Sequence, residues 1–141
     1  MKVDYGVRAL LDLAQNQGSG PVQTSEIAAR QGVPEPYLDQ LLTTLRKVGL
    51  VKSKRGPNGG YVLARDPSEL NLGMITSALE GPMVPIDCLD GSMECNLAGH
   101  CAQQDVWRKV EGLTQAFLYS TNLADLVTTQ REHEHRAMYY I

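Results

Sequence analysis

A stripe of apolar residues bounded by two prolines and a glycine constrains the fold of this chain more than any other feature. Its members recur at the spacing of one helical face and are Leu38, Leu41, Leu42, Leu45 and Val48. Pro34 and Pro36 stand where a helix can begin, because its first turn needs no backbone N–H groups, and Gly49 stands where it can end. A shorter helix, capped by Thr24 and stopped by Gly32, precedes it, and the pair predicts a helix-turn-helix.

Two short strands are predicted directly after these helices. Residues 50–54 and 61–64 have the composition of strands and flank the glycine-rich segment 55–60. The stretch from Arg46 to Arg55 contains five basic residues and no acidic residue. A hairpin with a basic, glycine-rich tip directly after a helix-turn-helix is typical of a winged helix. The predicted fold is therefore mainly α with a small β-hairpin wing.

The second half of the chain predicts two further helices, one of them long. Asn71 can cap the first, which closes at residues 80–82. The apolar positions of the long helix recur at steps of four, three and four residues, at Val106, Val110, Leu113 and Phe117. A small winged helix cannot cover that seam, so we expect it to pack against a second copy of the chain in a homodimer.

Charge is distributed unevenly along the chain. The total is 13 basic and 16 acidic residues, but residues 1–65 hold nine basic and five acidic ones, and residues 66–141 hold four and eleven. A polyanion such as double-stranded DNA would therefore meet the first half. No apolar run approaches the ~18–20 residues of a membrane span, and the N-terminus lacks the pattern of a signal peptide. We expect a soluble cytoplasmic protein without a membrane partner.

The polar face of the second predicted helix, together with the wing, carries groups suited to DNA. Gln40 can pair with adenine in the major groove, and Arg55 at the wing tip could enter a narrow minor groove. Thr24 and Ser25, at a helix N-terminus, could hold a phosphate. For each residue the alternative is an ordinary solvated surface. The candidate DNA-binding residues are Thr24, Ser25, Tyr37, Gln40, Thr43, Thr44, Lys52, Lys54, Arg55, Asn58 and Gly59.

Three cysteines, Cys88, Cys95 and Cys101, lie within 14 residues and are the only cysteines of the chain. Soft thiolates suit iron–sulfur clusters and zinc, but the absence of a C-x-x-C pair makes a zinc ribbon a poor match. A redox-active thiol pair and three unused thiols are the alternatives. His133 and His135 could bind a metal, although solvation on a polar tail is the simpler interpretation. No catalytic motif is present, so an enzyme is not expected.

Four stretches together resemble the Rrf family of bacterial winged-helix regulators, over roughly residues 1–127. They are Asp4–Leu10, the recognition-helix stretch 36–51, the wing Arg55–Tyr61, and Ala78–Pro82 with the cysteine trio. The resemblance implies a homodimer that binds a palindromic operator. It also implies that Cys88, Cys95 and Cys101 hold a 2Fe-2S or 4Fe-4S cluster whose state controls operator binding.

The resemblance leaves the fourth cluster ligand open. The IscR type has a histidine three residues after the last cysteine, where this chain has Gln104. In the NsrR type an aspartate of the opening helix serves, donated by the partner subunit, and Asp4 stands at the matching position. His100 is the second candidate. A cluster-free regulator that senses thiols or a ligand, and a small iron–sulfur carrier, are the competing hypotheses.

Four regions are predicted on this basis. They are a winged helix-turn-helix DNA-binding domain at 1–82, a cluster-binding cysteine loop at 83–101, a dimerisation helix with a short terminal helix at 102–128, and a tail at 129–141.

Overall fold

The computed structural model describes residues 2–81 and 100–139, which form six α-helices and one β-hairpin. In chain order the elements are α1 (Lys2–Gln15), α2 (Thr24–Gln31), α3 (Glu35–Lys47), β1 (Val51–Lys54), β2 (Gly60–Leu63), a 3-10 turn (Pro67–Glu69), α4 (Leu72–Glu80), α5 (Ala102–Ser120) and α6 (Leu123–Tyr139). The order confirms the predicted mainly α fold with a wing. Most of the predicted cysteine loop 83–101 lies outside the described residues.

The apolar stripe of α3 forms the centre of the core. Four of its five predicted members are buried, namely Leu38, Leu41, Leu42 and Leu45. The prediction for Val48 is wrong, because its side chain is 49% exposed. The helix ends at Lys47, so Val48 occupies the cap with φ −90° and ψ 2° and leaves the helical face. Gly49 then turns the chain with φ 81° and donates its amide to the Arg46 carbonyl at 3.0 Å.

The cap of α2 also differs from the prediction by one residue. Gln23 is the extended residue before the helix, and Thr24 is already helical. The Glu26 carboxylate accepts a hydrogen bond from the Gln23 amide at 3.2 Å, so the first turn is closed by an acid instead of by the Thr24 hydroxyl. The other end is as predicted, since Gly32 ends the helix in the left-handed conformation with φ 64°.

The wing is fixed to the body of the domain by a third short backbone pairing. β1 and β2 pair antiparallel, and Val22 exchanges hydrogen bonds with Tyr61, the two N–H···O distances being 2.9 and 2.8 Å. Gly60 makes this pairing possible because its φ is 147° and a Cβ atom there would collide with the Val22 backbone. The wing therefore leaves the domain in one defined direction.

α4 packs closely against both α1 and α5. Asn71 caps it as predicted, its side-chain oxygen accepting from the Met74 amide at 2.9 Å. Leu79 of α4 lies against Gly6 of α1, and the ring of Tyr119 in α5 lies against Gly73 of α4. A methyl group at either glycine would overlap these side chains. The long helix α5 is thereby seated directly on the winged-helix domain.

The C-terminal region is a helix where a short helical turn and a tail were predicted. α6 continues to Tyr139, anchored by buried Leu123 and Val127. Residues 128–139 contain neither glycine nor proline, and the helix gains a contact between the rings of His135 and Tyr139 at 4.9 Å. Their polar composition, which suggested a tail, is that of a solvated helix. In the part of the chain that the structure describes, no helix has the length and hydropathy needed to cross a membrane.

Candidate DNA-binding surface and cluster ligands

The exposed face of α3 presents the predicted base-reading groups together. Gln40 is exposed, whereas Thr43 and Thr44 are half-buried. The Thr43 hydroxyl donates to the Asp39 carbonyl at 2.8 Å, and the Thr44 hydroxyl donates to the Gln40 carbonyl at 3.1 Å. Both hydroxyls are therefore oriented by the helix itself, and their free lone pairs can accept hydrogen bonds from an exocyclic amine of a base.

Tyr37, at the start of α3, is half-buried against α1. Its ring packs edge-to-face on Tyr5, with 5.6 Å between centroids and 78° between planes. The guanidinium of Arg8 lies 5.8 Å from the Tyr5 centroid and donates to the Gln31 carbonyl at 3.2 Å. Tyr5 and Arg8 are not among the predicted site residues, since no local pattern links α1 to α3. Tyr37 thus fixes the start of the recognition helix as well as bordering its exposed face.

The first turn of α2 brings Thr24 and Ser25 to the surface beside an acidic group. Thr24 is half-buried and Ser25 is exposed. The Glu26 carboxylate stands at the same helix end, where it bonds the Gln23 amide. A phosphate bound by Thr24 or Ser25 would therefore lie close to a negative charge, which weakens this candidate contact relative to those on α3 and the wing.

The wing exposes four of its five predicted DNA contacts. Lys52, Lys54, Arg55 and Asn58 are exposed. Gly59 is buried in the turn, where its amide donates to the Gly56 carbonyl at 2.9 Å. A side chain there would collide with the Lys54 carbonyl, so Gly59 shapes the tip, and its direct contact with DNA stays a prediction.

The two ion pairs among the described residues both hold α1, and neither involves the wing. Arg8 pairs with Asp4 at 3.0 Å on the surface. Arg30 of α2 makes two hydrogen bonds, of 2.9 and 2.7 Å, to the carboxylate of Asp12, which is 1% exposed. These hydrogen bonds raise the pKa of Arg30 above its ordinary value. The cations of the wing form no ion pair with another described residue, so they are available to an external anion.

One of the three predicted cysteine ligands lies within the described residues. Cys101 is half-exposed, outside any disulfide, and forms the N-terminal cap of α5. Cys88 and Cys95 lie outside the described residues. His100 is exposed directly before Cys101, and Asp4 is exposed in the first turn of α1, paired with Arg8. Among residues 2–81 and 100–139, no group of three potential metal ligands is assembled.

Comparison with known proteins assigns the family. The sequence model of the Rrf2 family, described as an iron-dependent transcriptional regulator, matches residues 1–129. The chain belongs to the Rrf2 family. It is 38% identical over 140 residues to the HTH-type transcriptional regulator IscR of Escherichia coli O1:K1 / APEC, covering 94% of this chain and 86% of that protein.

Two solved structures of the Rrf2 type share the fold along nearly the whole chain. The structure of T. potens IscR is 43% identical with a TM-score of 0.78, covering 94% of this chain and 88% of that one. CymR of B. subtilis, described as the global cysteine regulator, is 36% identical with a TM-score of 0.79, covering 92% and 95%. The Rrf2 chain described here is a DNA-binding transcriptional regulator with a winged helix.

We predict that the Arg55→Ala variant of this Rrf2 protein binds its operator roughly tenfold more weakly, because one charge-assisted hydrogen bond to DNA is lost. Arg55 is exposed at the wing tip, so the fold should be unaffected. Gel-shift titration at fixed salt measures the change, with Arg131→Ala on α6 as a matched control. Equal affinities of the Arg55→Ala and Arg131→Ala variants would show that Arg55 does not contact the operator.

Proposed function

We propose that this chain is a homodimeric regulator whose operator binding is controlled by an iron–sulfur cluster, of the 2Fe-2S or 4Fe-4S type, held by Cys88, Cys95 and Cys101. The observation that carries the proposal is the position of Cys101. Its thiol is half-exposed and outside any disulfide at the start of α5, where the positive end of the helix dipole suits an anionic thiolate. The names of the IscR relatives support the same assignment.

A bound cluster would supply a redox-active group that responds to iron supply, oxygen or nitric oxide. The donor set fits such a group, because three thiolates are the ligands that iron–sulfur clusters take, and one position remains for an oxygen or nitrogen ligand. Asp4 from the partner subunit is our first candidate for that position, and His100 is the second. We place this function in the cytoplasm, where thiols stay reduced.

The residues around Asp4 link this candidate ligand to both helices of the helix-turn-helix. The exposed Asp4–Arg8 pair contributes little stability, about 1 kcal/mol or less, so Asp4 can leave it at small cost. Arg8 also contacts the Gln31 carbonyl at the end of α2 and the ring of Tyr5. Because Tyr5 packs on Tyr37, a displacement of Arg8 would change contacts made by both helices of the helix-turn-helix.

The exposed seam of α5 supports the homodimer. No residue of this helix is buried, and large apolar side chains stand open to solvent along it, namely Val106, Val110, Leu113 and Phe117. A contiguous apolar face of this kind is unfavourable in a monomer. Pairing with a second α5 would bury it and present two recognition helices to the half-sites of a palindromic operator.

The test is anaerobic purification followed by visible absorption and by iron and sulfide assays. We expect a coloured wild-type protein with stoichiometric iron and sulfide, and loss of both in the Cys101→Ala variant. Asp4→Ala and His100→Ala then distinguish the two candidate fourth ligands, since only the true one should change the absorption band. A colourless wild-type protein that resists reconstitution, or an unchanged Cys101→Ala spectrum, would contradict the proposal.

The similarity to CymR favours a second candidate, a regulator that works without a cluster through its thiols or a bound metabolite. That neighbour is described as a global cysteine regulator and covers almost the whole chain. A colourless protein whose operator affinity still depends on thiol oxidation or on an added metabolite would support this candidate. The DNA-binding surface would be the same in both cases.

A further inference from the structure

Arg46 occupies the junction between the recognition helix and the wing. It lies in the last turn of α3, and its Nη1 atom donates to the hydroxyl of Ser53 in β1 at 3.4 Å. Both side chains are exposed. This hydrogen bond links a side chain of α3 to a side chain of the wing at the surface, outside the core.

The side chains of β1 alternate between two faces, and this places Arg46, and not the lysines of β1, at the junction. Side chains alternate between the two faces of a strand, so Ser53 shares a face with Val51, whereas Lys52 and Lys54 share the other. Val51 is buried in the core, and Ser53 on the same face meets α3 through Arg46. The two lysines of β1 therefore point away from the junction, and the guanidinium of Arg46 supplies its positive charge.

The partner of Arg46 in α3 differs in chemical type from the partners of the arginines in α1 and α2. Arg8 and Arg30 are bound by the carboxylates of Asp4 and Asp12. Ser53 is neutral and uses one of the five N–H donors of a guanidinium, which leaves the charge of Arg46 and several donors available. The nearest acid on its own helical face, Asp39, lies two turns away, about 10 Å along the axis. Within residues 2–81 and 100–139, Arg46 is therefore held by Ser53 and pairs with no carboxylate.

We propose that Arg46 binds the DNA phosphate backbone that passes between the groove read by α3 and the groove entered by the wing, and that Ser53 is its positioning residue. A helix in the major groove and a wing beside it leave one phosphate strand at their junction, and a planar guanidinium binds phosphate oxygens in a bidentate manner. This inference rests on DNA binding through α3 and the wing.

The test is the salt dependence of binding to a duplex that the wild-type protein selects from a randomised pool. For Arg46→Ala we expect affinity to fall roughly a hundredfold or more, and the slope of log K against log salt to decrease in magnitude by about 1.8, the value for two phosphate contacts, one from each protomer of the dimer. Arg46→Lys should keep the slope. Ser53→Ala should keep the slope and lose affinity only a few-fold, because the charge remains while its position is less fixed.

Matched controls separate this contact from other effects. Arg136→Ala, an exposed arginine on α6, should change neither affinity nor slope. An unchanged slope for Arg46→Ala would overturn the proposal, even if affinity fell, because a merely structural role would show as a lower melting temperature at constant slope. Should the wild-type protein select no sequence, DNA binding itself would fail together with this inference. Should it bind and Arg46→Ala match it, this inference alone fails.

Discussion

Replacing both Leu113 and Phe117 with glutamine is expected to convert the protein to a monomer and to weaken operator binding by roughly a hundredfold or more. The two side chains are 63% and 69% exposed on α5, one helical turn apart. In a dimer they would lie on the central seam, where amide groups without partners oppose association. Two linked winged helices bind two half-sites with a high effective concentration, and a monomer loses that advantage entirely.

Sedimentation velocity and gel-shift titration measure the two effects on the same samples. Met138→Gln with Tyr139→Gln is the matched control, since these side chains are 75% and 77% exposed but lie at the end of α6. The control should remain dimeric and bind normally. A double variant of α5 that sediments like the wild type would show that the exposed seam does not hold the dimer together.

The Arg30→Ala variant is expected to lose about 2–3 kcal/mol of unfolding free energy, because it leaves a buried carboxylate without its cation. Asp12 lies inside the domain, and Arg30 donates to both of its oxygens. Without Arg30 the Asp12 carboxylate still accepts a hydrogen bond from the side-chain amide of Gln31 at 3.0 Å and a longer one from that of Asn16 at 3.4 Å. This value is set below the ~3–5 kcal/mol of a fully buried pair because the Arg30 side chain is 44% exposed.

Urea unfolding at neutral pH measures this loss. Arg8→Ala is the control: it removes an arginine from the same surface, but its partner Asp4 is exposed and can be hydrated, so the change should be below about 1 kcal/mol. Adding Asp12→Asn to Arg30→Ala should restore part of the stability, since the buried charge is then gone. Equal losses for Arg8→Ala and Arg30→Ala would mean that burial of Asp12 carries no special cost.

The elements of this fold could be predicted because their determinants act locally. Gly32 and Gly49 end their helices through their own backbone conformation, with φ of 64° and 81°. Asn71 caps α4 through a hydrogen bond three residues away. Helical spacing alone identified the buried leucines of α3 and the exposed seam of α5. Each of these effects depends on residues within one or two turns of each other.

Predictions failed where the surroundings, and not the residue type, decided the outcome. Val48 is apolar but lies past the end of α3, so the core does not reach it. Residues 129–139 are polar enough for a tail, yet they continue a helix whose start is anchored by buried Leu123 and Val127.

The sequence by itself determined the helix-turn-helix, the wing, the amphipathic α5 and the chemical groups available for DNA and for a cluster. Only the tertiary structure decided which polar groups meet, because those contacts join residues far apart in the chain. Arg30 in α2 pairs with the buried carboxylate of Asp12, whereas Arg46 in α3 contacts the neutral hydroxyl of Ser53. A carboxylate neutralises the positive charge of the arginine that it pairs with, whereas a hydroxyl does not. The packing of the helices determines which of these partners lies next to each arginine.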